Sequence, residues 1–323
     1  MRNYLKENLY LYHLNNMKEI IKELYNIDVL TFIKVSEKVY KIKAKEKDYA
    51  LKYIEQKNLE MTIEKLKILK IDFFVYPLKN IYNKYISEFE EVNFILLPWI
   101  EEDNALMKDL KLNFFLNSLA DLHNRSFYTL RVNESFFNET YDFIANKIDK
   151  VSEYIEQYMS EIERLDYKSP SQWLFLLNYP FFVDSISRAN KALEEFQNKT
   201  EKKDIVRMAL TYNDFDYKHI LLREGKMLGV ENVELTPPIY DVFYTFVSLN
   251  EMNVDTKMYY EKYFNNFILD DYEKQWLLSL LYIPQIENLS KNEVRNIKEV
   301  TNSLNYLRNS YEIAKIIINK KEE

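Results

Sequence analysis

An α+β fold in two parts, a small β-rich N-terminal part and a large, mainly helical remainder, is what this sequence predicts. Three observations lead there. Strand-length apolar runs crowd the first 100 residues. Apolar residues at helical spacing dominate from residue 101 on. The chain has 323 residues, 47% of them hydrophobic, enough for a real core and for two domains or one large two-part unit. The expected parts are residues 1–100 and 101–323, with a short β-hairpin at 210–234 embedded in the second.

The elements follow in order. Residues 17–25 (MKEIIKELY) read as a short amphipathic helix. Residues 29–35, 39–44 and 49–54 read as strands, with a turn at 45–48 between the last two. Residues 59–71 carry apolar positions at helical spacing, and 73–77 and 94–100 read as buried strands. Helices are then expected at 110–126, 136–163, 173–196, 259–267, 272–282 and 291–320. The interruption is a hairpin, 220–223 and 227–230, whose turn places Gly225 where a positive φ is wanted.

Composition excludes several functions. The chain has no cysteine, so it has no disulfide, thiol nucleophile or cysteine-based metal site. It has three histidines and only two glycines, so neither GxGxxG nor GxxxxGK[ST] phosphate loops exist. With 44 Lys and Arg against 51 Asp and Glu, and no long basic run, nucleic acid is not an expected partner. The longest apolar stretch, 173–183, is far short of the roughly 20 residues of a membrane helix. No apolar leader follows the charged MRNYLKENLY, so the expectation is a cytoplasmic protein. The 27 tyrosines and 20 phenylalanines, at helical spacing, read as packing rather than as a stacking surface. Residues 319–323 read as a solvated helix end.

Chemistry is concentrated in a few ordered strings. Tyr49-Ala50-Leu51-Lys52 lies in the third strand. Leu96-Leu97-Pro98-Trp99-Ile100-Glu101 ends the last strand of the first part. Leu119-Ala120-Asp121-Leu122-His123 lies on a helix, where a lone histidine on an apolar face reads as structural. The run from Leu210 to Leu222, LTYNDFDYKHILL, precedes the hairpin turn; Val230-Glu231-Asn232-Val233-Glu234 and Pro237-Pro238-Ile239-Tyr240-Asp241 follow it. Together, and with residues 272–284, these resemble the protein-kinase-like superfamily in its aminoglycoside/choline phosphotransferase form. The nearest resemblance is to the spore-coat-associated kinase-like branch, and it spans nearly the whole chain.

The resemblance implies a bilobal protein-kinase-like fold and a set of roles. Lys52 holds the nucleotide α- and β-phosphates, oriented by a helix carboxylate, either Glu60 or Glu64. Trp99 and Ile100 lie at the hinge that meets adenine. Asp214 stands at the catalytic base position, while His219 and Asn232 stand at the two Mg²⁺ ligand positions. His123 and Asp241 are structural, Asp241 as a buried carboxylate pinning the catalytic loop.

Departures from the pattern carry weight. Asparagine is expected where His219 stands, and aspartate where Asn232 stands. Mg²⁺ prefers hard oxygen ligands, so both positions are weakened together. Asn213 replaces a glycine in a tight turn, which suits a left-handed asparagine. The segment 35–39 has no glycine for close phosphate approach. Glu231, Glu234 or Asp216 could supply the missing carboxylate, Glu231 less readily because strand alternation turns it away from the face of Asn232. His219 and Asp214 alone are too few ligands for zinc. The expectation is a pseudokinase acting as a binding or scaffold module for protein partners, in a spore coat by resemblance only. The alternative is a divergent ATP-dependent phosphotransferase on a small hydroxylated metabolite. ATP and Mg²⁺ are the implied cofactors, both weakened, and the acceptor is unnamed.

Overall fold

The computed structural model describes residues 16–55, 58–101, 108–133, 135–252, 254–286, 289 and 292–319. The N-terminal stretch MRNYLKENLY and the expected solvated end past Asn319 lie outside the described residues. The described residues divide into two compact units, one of residues up to 115 with 216–234, the other of 116–215 with 235 onward. The sequence reading drew its boundary at 100 and 101 and kept 216–234 with the second part.

The first unit is built on a helix, α1, through residues 16–25, and a five-stranded sheet. Its strands are β1 (Val29–Lys34), β2 (Val39–Ala44), β3 (Tyr49–Ile54), β4 (Ser87–Phe89) and β5 (Val92–Pro98), in the order β1-β2-β3-β5-β4. All its pairings are antiparallel. Period-two burial in β2 and β3 sends Tyr40, Ile42, Tyr49 and Leu51 to one core with Met17 and Ile21 of α1. Between β3 and β4 runs α2 (Leu59–Ile68), which buries Leu59, Ile63 and Leu66. That spacing puts the three on one helical stripe.

Residues 73–77, expected as a buried strand, form no strand and join no sheet. Phe74 instead forms an isolated parallel bridge with Met227. Two bonds close it, Met227 N–H to the Phe73 carbonyl at 2.6 Å and Val75 N–H to the Met227 carbonyl at 2.8 Å. Here the returning segment 216–234 is tied in. It holds β8 (Ile220–Leu221) and β9 (Lys226–Met227), closed by Gly225 at φ +60. The hairpin is thus shorter than expected and turns on the expected glycine.

In the second unit, α3 (Lys108–Ser126), whose start belongs to the first unit, is followed by β6 (Tyr128–Arg131), α4 (Ser135–Glu163) and α5 (Pro170–Thr200). Then come β7 (Ile205–Thr211), β10 (Glu234–Thr236), α6 (Pro238–Glu251), α7 (Lys257–Asn266), α8 (Asp271–Leu281) and α9 (Glu293–Asn319). A three-stranded sheet runs β10-β7-β6. Ser169 and Gln172 form a capping box at the start of α5, with Pro170 at the first helical position. The helix continues through Pro180. Much of the aromatic content packs here: Trp276 of α8 meets Phe196 at 5.4 Å, Tyr240 at 5.3 Å and Phe136 at 6.5 Å between ring centres. Among the described residues no helix is long and apolar enough to cross a membrane.

Candidate functional site

In the first unit, Lys52 occupies the middle of the sheet. It lies opposite Val39 of β2 and Ile95 of β5, so neighbours on both sides fix its backbone. Its ammonium pairs with Glu231, and the pair is mostly shielded, with side-chain exposures of 24% and 7%. Lys52 therefore pairs with neither Glu60 nor Glu64, which corrects the expected helix carboxylate. Glu60 is turned to the chain ahead of β4, where one oxygen accepts the amides of Tyr85 at 2.6 Å and Ile86 at 2.9 Å. Glu64 faces Lys79 at 3.7 Å. Both amides anchor the Glu60 carboxylate at the chain ahead of β4, and the Lys52 ammonium is paired with Glu231 instead.

Glu231 comes from a segment that sequence reading took as strand. After Gly229, left-handed at φ +86, residues Val230–Asn232 make one turn of 3-10 helix. Asn232 N–H closes it onto the Gly229 carbonyl at 2.9 Å. Successive side chains on such a turn diverge by about 120°, so the alternation argument against Glu231 does not apply. Oε1 of Glu231 takes the lysine, and Oε2 is buried without a hydrogen-bond partner.

Other first-unit residues are set around this pair along the chain. Asp216 caps a 3-10 turn, Tyr217–His219, by accepting the Lys218 amide at 2.9 Å. That duty engages it as a local cap rather than as a spare carboxylate. The half-buried His219 follows, and its carbonyl accepts Leu228 N–H at 2.8 Å. Lys111 of α3, only 2% exposed, donates to the Tyr217 carbonyl at 3.3 Å; sequence reasoning did not single it out. At the end of β5, Trp99 and Ile100 are half-buried. Trp99 N–H donates to the Asp48 carbonyl at 3.1 Å, and Lys41 lies over its ring at 4.6 Å. The glycine-free turn between β1 and β2 closes on itself: the amides of Val35 and Ser36 both donate to the Val39 carbonyl.

The second unit carries the loop of Asp214. The buried strand β7 feeds it, and Asp241, in the first turn of α6 and fully buried, holds it. Oδ2 of Asp241 accepts the Tyr212 amide at 2.7 Å, and Oδ1 accepts the Asn213 amide at 2.9 Å. His123 reaches the same carboxylate through Nε2 at 3.0 Å and Tyr263 through Nδ1 at 2.7 Å. A carboxylate accepts only, so Nε2 carries the proton and Nδ1 accepts from the Tyr263 hydroxyl. Burial raises that hydroxyl well above the ordinary tyrosine range, which keeps it a donor. Tyr263 was missed from sequence, since nothing in its spacing marks it. Asn213 sits at φ +52, the left-handed conformation an asparagine tolerates in a glycine's place. Asp214, next along the loop, is exposed.

Among the described residues no three His, Asp or Glu side chains gather around one point. Mg²⁺ does not require this, because one or two protein oxygens suffice when phosphates and water supply the rest.

A five-stranded antiparallel sheet with a lysine in its third strand, and a helical unit whose loop is clamped by a buried aspartate, define a protein-kinase-like α+β fold. Solved structures share this fold. The aminoglycoside phosphotransferase from Alicyclobacillus acidocaldarius matches with a TM-score of 0.66 at 9% identity, over 90% of this chain and 93% of that one. Spectinomycin phosphotransferase APH(9)-Ia, solved with ADP and spectinomycin, matches with a TM-score of 0.51 at 13% identity, over 94% of this chain and 97% of that one. Its AMP-bound complex matches with the same TM-score at 14% identity, over 95% of this chain and 99% of that one. The likeness is one of fold. No family model matches the sequence, and no curated protein matches it.

Proposed function

We propose that this protein is an ATP-dependent phosphotransferase acting on a small hydroxylated metabolite. The observation that carries the reading is the clamped loop. Asp241 takes both amides ahead of Asp214, and Asn213 keeps the left-handed turn that a glycine would make. A loop that had lost its task has no need to preserve that geometry after losing its glycine. The fold neighbours named above are phosphotransferases of aminoglycosides and of spectinomycin, which supports a small-molecule acceptor.

In this reading Lys52 holds the nucleotide phosphates from the centre of the sheet. A divalent cation, when bound, supplies positive charge against the β- and γ-phosphates. The acceptor oxygen attacks the γ-phosphorus, and a new O–P bond forms. The bond from the γ-phosphorus to the bridging oxygen breaks, ADP leaves with that electron pair, and the acceptor's proton passes to the Asp214 carboxylate.

A second reading, a pseudokinase binding a protein partner, is favoured by two observations. His219 replaces an oxygen ligand, and the Ser36 amide is consumed within its own turn. Thermal unfolding with ATP, ADP and GTP, each with and without Mg²⁺, separates the two. A nucleotide at 100 times its dissociation constant adds about 2.7 kcal/mol, a shift of a few degrees. The expected result is an ATP shift enlarged by Mg²⁺ and abolished in Lys52→Ala. Asp214→Ala should keep the shift and lose phosphoryl transfer to any acceptor found in a screen of amino sugars and amino alcohols. No shift with any nucleotide would overturn the phosphotransferase and leave the binding module.

A further inference from the structure

We infer that Glu231, and not Asn232, is the carboxylate that meets the nucleotide's divalent cation in this protein. The inference rests on the phosphotransferase reading. It moves the metal position one residue along the chain, from an amide to an acid.

Three observations carry it. Gly229 enters the left-handed region and the chain continues as a 3-10 turn, so residue 231 is not bound by strand alternation. Glu231 lands on Lys52, the residue whose motif assigns it the phosphates. The side chain is 7% exposed and one of its two oxygens, Oε2, is buried with no hydrogen-bond partner. A buried carboxylate oxygen without a partner is costly, and native proteins leave few of them. A cation delivered with the nucleotide would satisfy it.

The pairing also gives an order to binding. An incoming phosphate attracts Lys52 as Glu231 does, with more charge. As Lys52 turns to the phosphate, Oε1 of Glu231 is released beside Oε2, and both oxygens become available to a hard cation. Glu231 is thus neutralised by lysine in the resting protein and by metal in the loaded one. The loss of charge at Asn232 is offset by its neighbour.

The test uses the full chain and two readouts that do not require turnover. ADP affinity is measured by calorimetry with and without Mg²⁺, and Mn²⁺ bound in the presence of ADP is measured by electron paramagnetic resonance. Glu231→Gln is expected to lower the Mg²⁺-dependent gain in ADP affinity at least tenfold and to lose the bound Mn²⁺ signal. Metal-free ADP binding should be no weaker than wild type, because the charge that competes with phosphate for Lys52 is gone. Asn232→Ala should leave both readouts near wild type. Glu231→Asp keeps the charge and the lysine partner, and should retain a weakened Mn²⁺ signal if Glu231→Gln proves poorly folded. A Mg²⁺-dependent gain that survives Glu231→Gln, or that disappears in Asn232→Ala alone, overturns the inference and leaves the phosphotransferase standing. A wild-type protein that binds no nucleotide overturns both.

Discussion

Asp241→Asn tests the clamp on the loop of Asp214. In the native protein the carboxylate accepts three bonds: Tyr212 N–H at 2.7 Å, Asn213 N–H at 2.9 Å and His123 Nε2–H at 3.0 Å. Asparagine offers one acceptor oxygen, and its NH₂ must face a donor. In the least damaging orientation the oxygen keeps Tyr212 and His123, and the NH₂ confronts the Asn213 amide. One bond to a charged acceptor is lost, about 1.5–3 kcal/mol, and an amide is left without its acceptor, about 1–3 kcal/mol. The two overlap, so about 3 kcal/mol is expected. At about 1.4 kcal/mol per tenfold, that corresponds to roughly a hundredfold faster hydrogen exchange at the amides of Tyr212 and Asn213. Exchange followed by mass spectrometry on peptides spanning the loop reads this directly. An exchange rate within threefold of wild type would refute the claim that the carboxylate holds the loop.

Asn213→Gly should be neutral or slightly stabilising, because glycine reaches φ +52 without strain, whereas Asn213→Val should lose about 1–2 kcal/mol in urea unfolding. Arg207→Met should be severe. Arg207 donates to both oxygens of Glu273, which is 1% exposed, and removing the cation strands a buried carboxylate at a cost of about 3–5 kcal/mol. The double variant Arg207→Met/Glu273→Leu should recover most of that loss, so a double variant no better than the single would refute the desolvation argument. Glu273 also predicts a pH effect. Burial raises its carboxyl above 4.5 against the pull of Arg207. The folded protein therefore holds a proton there that the unfolded chain has released, and stability from this group falls as pH rises from 4.5 through the raised value. Unfolding midpoints should show wild type losing ground to Glu273→Gln across that interval and running parallel above it.

Several elements were legible because their signal is local. The pairings of β2 and β3 follow from alternating apolar residues, and both strands have the bounds read from sequence. Gly225 announced its turn by being one of two glycines, and it adopts the positive φ expected there. Other elements left no local trace. In α6, Pro238, Ile239, Asp241, Val242, Phe243, Thr245, Phe246 and Leu249 are all buried. A helix apolar on most sides shows no stripe, so its sequence resembles a loop with prolines. Strand β7 is a short, largely buried run that periodicity cannot separate from a helix fragment. Residues 73–77 read as a buried strand but form only an isolated bridge, because the partner of Phe74 is Met227, far along the chain.

The sequence by itself determined the α+β class, the strands β2 and β3 and the lysine in the third strand, and its resemblance to a kinase-like family marked the loop around Asp214 and the aspartate that follows it. The first three rest on periodicity and turn residues, and the last two on the strings that carry the resemblance. The tertiary structure decided partners. Lys52 meets Glu231 because the segment 216–234 returns to the first unit and turns as a 3-10 helix after Gly229. Glu60 is absent from that pair because two backbone amides near β4 hold it. Charge pairing depends on distance in space, and residues 52 and 231 are brought together only by folding.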